Sequence, residues 1–133
     1  MRHQALVYPV CDACVGATDS YASFGDGHFL TTRDMRWYVD LYARAVDPAD
    51  AHLSALAAGD LSGAPPASVV LAACDPLHDE GVAYARRLRD AGVQVELRDF
   101  PGQLHGFVLL AGMIDDGREA RAWLARRLGE ALH

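Results

Sequence analysis

Apolar positions in this chain come in blocks, and the period of each block predicts an element. Ala5 to Pro9 is a short apolar run closed by proline, which reads as a buried strand. From Cys11 to Leu30 small and polar residues dominate, and Gly16, Gly25 and Gly27 break any repeat, so a long irregular connection is expected. Loops of that length in a compact domain usually carry function. Thr31-Thr32-Arg33-Asp34 then offers a hydroxyl cap with an acid three residues on. Met35, Tyr38, Val39, Tyr42 and Val46 follow at helical spacing, which predicts a helix of about three turns. Asp47-Pro48 stops it, and residues 48 to 66 read as mostly loop, with room for one turn of helix.

The second half is more regular. Val69 to Ala73 is a continuous apolar run between Pro65-Pro66 and Asp75-Pro76, the pattern of a central parallel strand, and Asp75 stands at its carboxyl end. Glu80 to Ala91 places Ala83, Tyr84, Leu88 and Ala91 on one stripe, and Gly92 follows as a stop. Val93, Val95 and Leu97 alternate with Gln94, Glu96 and Arg98, as in a strand at a sheet edge. Strand, helix, strand predicts a right-handed parallel crossover. Gly117 to Leu132 sets Trp123, Leu124, Leu128, Ala131 and Leu132 on one face, an amphipathic helix behind acidic Asp115-Asp116. The elements make one α/β domain with about three parallel strands and flanking helices.

Composition narrows the partners. The 133 residues are 51% hydrophobic and 23% charged, an ordinary globular balance. A formal charge of −6 argues against a surface that tracks phosphates, so nucleic acid is not an expected partner. No stretch approaches the roughly 20 apolar residues of a membrane span, and no signal core follows Met1-Arg2-His3-Gln4, so a cytoplasmic protein is expected. Three cysteines do not make a disulfide framework.

Asp75 and His105 both follow predicted strands closely, where parallel sheets gather their ligands and catalytic groups. An acid so placed can orient an imidazole, which then exchanges a proton with a nucleophile and a leaving group. From position alone the plainer alternative stays open: Asp75 caps a turn with Pro76, and His105 is a surface loop residue. Other groups point less clearly to chemistry. Cys11-Asp12-Ala13-Cys14 has the spacing of a zinc or redox pair, but it has no second pair and no helix start behind it, and no metal site is expected. His3, His28, His52, His78 and His133 lack metal-ligand spacing and read as exposed loop or helix-end residues. Asp79 and Glu80 read as acids serving the free N–H groups and dipole of the helix they open. Gly25-Asp26-Gly27 is too short for a phosphate loop, and Cys11 to Thr18 makes a poor phosphate-binding first loop for a flavodoxin-like domain.

The local sequences carry more than the positions do. Leu6-Val7-Tyr8-Pro9-Val10, the stretch from Ser20-Tyr21 through Phe29-Leu30-Thr31 to Met35-Arg36-Trp37, Asp75-Pro76-Leu77-His78-Asp79-Glu80-Gly81, Ala91-Gly92-Val93 and Pro101-Gly102 to His105-Gly106-Phe107 follow in order. Together they resemble the carboxyl-terminal half of the hormone-sensitive-lipase-like α/β-hydrolases, which are serine carboxylesterases and lipases. The resemblance implies a partial α/β-hydrolase fold over residues 1–133, with residues 20 to about 58 forming part of a substrate-covering cap. It makes Asp75 the acid and His105 the base of a Ser-Asp-His triad, and small esters the substrates of the complete enzyme. Trp37 on the cap helix and Phe107 beside His105 are the candidate substrate contacts, and no cofactor is implied.

Departures from the family matter as much. The triad serine belongs in a Gly-x-Ser-x-Gly elbow, and none of the five serines here fits it; Ser62 comes nearest, flanked two residues away by Asp60 and Ala64. The His-Gly-Gly-Gly oxyanion stretch also has no counterpart. His78 stands where a basic residue is usual. The chain therefore reads as a hydrolase fragment, expected to be inactive alone and to need its amino-terminal half or a second copy of itself. The competing reading is a hydrolase-derived binding or assembly module without catalysis.

Overall fold

The computed structural model describes residues 1–44 and 46–133; Ala45, inside the expected cap segment, lies outside the described residues. Three strands, β1 (Gln4–Val7), β2 (Ala67–Cys74) and β3 (Val95–Leu104), form one sheet in the order β1-β2-β3 with both pairings parallel. The helices are α1 (Asp19–Phe24), α2 (Thr32–Tyr42), α3 (His78–Asp90) and α4 (Asp115–Leu132). Single tight helical turns occur at Ala55–Ala57 and Phe107–Leu110.

β2 is apolar at nearly every position because both of its faces are covered. Val70 and Ala72 point to one side, where they pack with Phe100, Phe107, Ala120, Trp123 and Leu124 under α4. Val69 and Leu71 point to the other, against Ala85 and Leu88 of α3 and Val93. The period-two alternation of a strand thus divides one apolar run between two cores, giving helix, sheet and helix layers. α3 lies close to the sheet at Gly81, where an added Cβ would sit 2.6 Å from Leu71 Cδ2.

Several sequence expectations shift here. α1 forms inside the stretch expected to be irregular; it is only six residues long, too short for a periodic signal. β3 runs on past the predicted Val93–Arg98 alternation through Pro101 and Gly102 to Leu104. Proline is tolerated because β3 is an edge strand, so its missing N–H interrupts no ladder on the outer side. β1 lies at the other edge, paired only with β2 among the described residues. α2 opens with the expected capping box: Thr31 Oγ1 accepts from the Asp34 amide at 3.1 Å, and Asp34 accepts from the Thr31 amide at 3.1 Å. Among the described residues no helix is long and apolar enough to cross a membrane.

α1 and α2 pack over the carboxyl end of the sheet. Tyr21 and Met35 close on Leu77, in the turn that follows β2. Ser20 fastens α1 to the same turn, donating its hydroxyl to Pro76 O at 2.7 Å and its amide to Asp79 Oδ2 at 2.8 Å.

Candidate active site

β2 ends at Cys74, and the next residue, Asp75, is 0% exposed. Its two oxygens have separate work. Oδ1 accepts from the Leu77 amide at 2.9 Å, which fixes the turn into α3, while Oδ2 lies 2.7 Å from His105 Nδ1. Asp75 thus caps the turn with one oxygen and contacts the imidazole with the other. A carboxylate only accepts hydrogen bonds, so Nδ1 carries the proton and Nε2 is left to exchange one with a substrate.

β3 delivers His105 through an irregular register. Ala72 pairs with Phe100 and Cys74 with Leu104, so β3 takes four steps where β2 takes two. The surplus around Pro101 and Gly102 turns the end of β3 over the end of β2, the effect of a bulge that re-aims a side chain. Gly106 follows with φ 86°, a conformation that favours glycine, and the chain bends at once into Phe107–Leu110. The Phe29 ring closes on this bend, 3.1 Å from where a Gly106 Cβ would stand.

An aromatic ring lies against the imidazole. Tyr8, in the left-handed region at φ 34°, puts its ring 4.3 Å from that of His105, tilted by 52°. Burial raises the Tyr8 phenol, and the charge of Asp75 raises it further. Phe107 stacks behind at 6.1 Å from Tyr8 and 5.1 Å from Phe100. Phe107, expected to touch substrate, is 1% exposed and packs in the core under α4. Trp37 is 57% exposed on α2, edge-on to Tyr38. Tyr38 and Tyr42, not Trp37, line an apolar cleft of about 290 Å³ with Val10, Met35 and Leu53.

Glu80 and Asp79 do not serve the free N–H groups of α3. Asp79 accepts from Ser20, and Glu80, 2% exposed, reaches across to the Cys11 amide at 2.6 Å and the Asp12 amide at 3.3 Å. Burial pushes the Glu80 carboxyl up to about 7, against the pull of those two amides. The Cys11 thiol is pushed up to about 12, by burial first and then by Glu80 and Asp12, and Cys14 is also raised, by Asp12. Burial and the neighbouring carboxylates thus disfavour the thiolate form of both cysteines. Among the described residues no group of three His, Cys, Asp or Glu could hold a metal ion. His78 is no free helix-end residue: its ring bridges Asp79 at 3.2 Å and Asp99 at 3.0 Å. His3 bonds Ser68 at 2.9 Å. Ser20, Ser54 and Ser68 are buried, and among the described residues no serine is hydrogen-bonded to His105.

An acid and an imidazole at the carboxyl ends of neighbouring parallel strands can be set against known proteins. The α/β-hydrolase-fold family matches residues 1–109. The chain belongs to that family. Its relatives place it in the hormone-sensitive-lipase-like branch. The ethyl acetate hydrolase of Pseudomonas putida is 36% identical over 132 residues, covering 98% of this chain and 41% of that protein. The carboxylic ester hydrolase LipN of Mycobacterium tuberculosis is 47% identical over 109 residues, covering 80% of this chain and 29% of that protein. EstE1, a thermostable carboxylesterase cloned from a metagenomic library, superposes with a TM-score of 0.92 at 36% identity, covering all of this chain and 46% of that one. This α/β-hydrolase chain thus spans less than half the length of the relatives it matches.

Proposed function

We propose that these residues are the acid–base portion of a carboxylic-ester hydrolase, with His105 as the base and Asp75 as the acid that orients it. The observation that carries the reading is the 2.7 Å approach of His105 Nδ1 to a fully buried carboxylate. A serine from outside these residues gives its proton to His105 Nε2 as its oxygen attacks the ester carbonyl. The imidazolium then hands that proton to the departing alkoxide, leaving an acyl-enzyme, and water repeats the sequence to release the acid. Asp75 holds the ring in one tautomer and stabilises its charged form throughout.

Residues 20 to about 58 act as part of a cap over this centre, supported by the packing of α1 and α2 on Leu77 and of Phe29 on Gly106. Trp37 is the cap's substrate contact. The substrate is a small ester, the partner an amino-terminal hydrolase half or a second copy, and the setting cytoplasmic, in keeping with three free thiols.

The test is a chimera in which residues 1–133 replace the matching part of the Pseudomonas putida relative. It is expected to hydrolyse p-nitrophenyl acetate, while the free chain gives only background rates and no burst. In the chimera His105→Ala lowers turnover by about a million-fold and Asp75→Asn by about ten-thousand-fold, as in a measured serine hydrolase. A chimera that stays active with His105→Ala, or a free chain that traps an acyl group on one of its own serines, refutes the assignment. A folded but inactive chimera favours the non-catalytic module instead.

A further inference from the structure

The first turn of α3 carries a buried carboxylate that the acid–base pair does not use. Glu80 has Asp12 and Asp75 as acidic neighbours, and both disfavour its charge, as burial does. The Tyr21 hydroxyl, buried and without a partner among the described residues, lies in the same acidic setting; Glu80 is the largest charge acting on it, ahead of Asp75 and Asp12. A carboxylate retained in such surroundings is an expensive way to stabilise a helix end.

What it does instead is join two segments that both touch His105. On one side, Asp75 and Glu80 belong to a single rigid unit, since Asp75 Oδ1 fixes the Leu77 amide and α3 begins at His78. On the other, the segment after β1 is pinned at its start by the Tyr8 amide on Val70 O at 2.7 Å. It is pinned again by Glu80 on the amides of Cys11 and Asp12, and by Leu56 on Cys11 O at 3.0 Å. Between those pins Tyr8 adopts its left-handed conformation and lays its ring against the imidazole. The unit bearing Asp75 and the segment bearing Tyr8 grip His105 from two sides, and Glu80 locks one to the other.

We propose that Glu80 is a positioning residue for the Asp75–His105 pair, acting through the Tyr8–Asp12 segment. This rests on the acid–base reading above. Glu80→Gln keeps an acceptor oxygen for the two amides; Glu80→Leu removes it; Glu80→Asp keeps the carboxyl group but withdraws it by one methylene.

The measurement is nitrogen-15 NMR of the His105 ring in the 133-residue chain, together with hydrogen exchange of the Cys11 and Asp12 amides. Wild type and Glu80→Gln are expected to hold the Nδ1–H tautomer with a slowly exchanging ring proton. Glu80→Leu is expected to mix tautomers and to speed exchange of that proton and of both amides by at least ten-fold. Should Glu80→Leu not fold, Glu80→Asp is expected to show the same changes to a smaller degree. A merely structural Glu80 would lower the unfolding midpoint and leave the His105 tautomer as in wild type, and that result overturns the proposal. Failure of the underlying reading looks different: Asp75→Asn would then leave the wild-type ring spectrum unchanged, which overturns both.

Discussion

Gly81→Ala tests how closely α3 must approach the sheet for Asp75 and Glu80 to be placed. In an exposed helix the change would stabilise by about 1 kcal/mol, because alanine loses less backbone freedom. Here the new methyl would stand 2.6 Å from Leu71 Cδ2, well inside the roughly 3.5–4.0 Å at which carbon atoms attract. Leu71 is fully buried among Val69, Ala85 and Leu88, so its side chain must shift against packed neighbours to make room. Overpacking of this kind costs about 1–3 kcal/mol, so it offsets the helix gain and leaves a net loss of up to about 2 kcal/mol. The assay is urea unfolding at constant slope, read as a lower midpoint. Leu71→Ala alone should cost about 2–5 kcal/mol, and in the double variant the new methyl occupies part of the void. The two losses should therefore fall short of additivity by about 1 kcal/mol or more. A Gly81→Ala protein more stable than wild type, or strict additivity with Leu71→Ala, would refute the reasoning.

Two further outcomes follow from features at the sheet's ends. At His78, burial lowers proton affinity, but the hydrogen bonds and charges of Asp99 and Asp79 outweigh it and leave the imidazole raised above 6.5. Asp79 is lowered, since the Ser20 amide and His78 outweigh its burial. The histidine clamp is thus complete below pH 6.5 and is lost as pH rises through its raised value, while the Asp79 contribution is lost as pH falls through its lowered one. Unfolding midpoints should decline more steeply from neutral to mildly alkaline pH in wild type than in His78→Gln, which keeps only the decline due to raised groups such as Glu80; equal declines in the two would disprove the clamp. At β1, the outer N–H and C=O groups of an unpaired parallel edge should recruit other chains, so light scattering after size exclusion should show association that grows with concentration. A dispersed monomer at high concentration would count against it.

The sequence was most legible where one physical cause set the pattern. The continuous apolar run of β2 followed from burial on both faces, and the Thr31–Asp34 cap from local hydrogen bonding, so both could be read without the fold. Asp75 and His105 could be paired from their order and strand-end positions together with the family resemblance. The parts that stayed hidden depend on distant partners. Glu80 looked like a helix-opening acid, because nothing near it in sequence tells of the Cys11 and Asp12 amides. The extension of β3 through Pro101-Gly102 stayed hidden because the edge position that tolerates proline is a property of the sheet. The burial of Phe107 depends on Tyr8, Phe100 and α4, and no local pattern separates a ring facing a substrate from one facing a core.

The all-parallel pairing also orders the assembly of the chain in time. Ala67 meets Val95 across a single helix, whereas Gln4 meets Ala67 only after roughly twice as much chain has been gathered in. Each doubling of a closing loop adds about 0.6 kcal/mol of entropy, and β1 recovers that with only four residues of ladder. β2, α3 and β3 therefore make the early nucleus and β1 docks last, an order that pulsed hydrogen exchange during refolding would show as protection at Val69–Ala72 before Leu6. Because Tyr8 travels with β1, the ring against His105 is the last piece of the site to arrive and the first to leave when the native state opens.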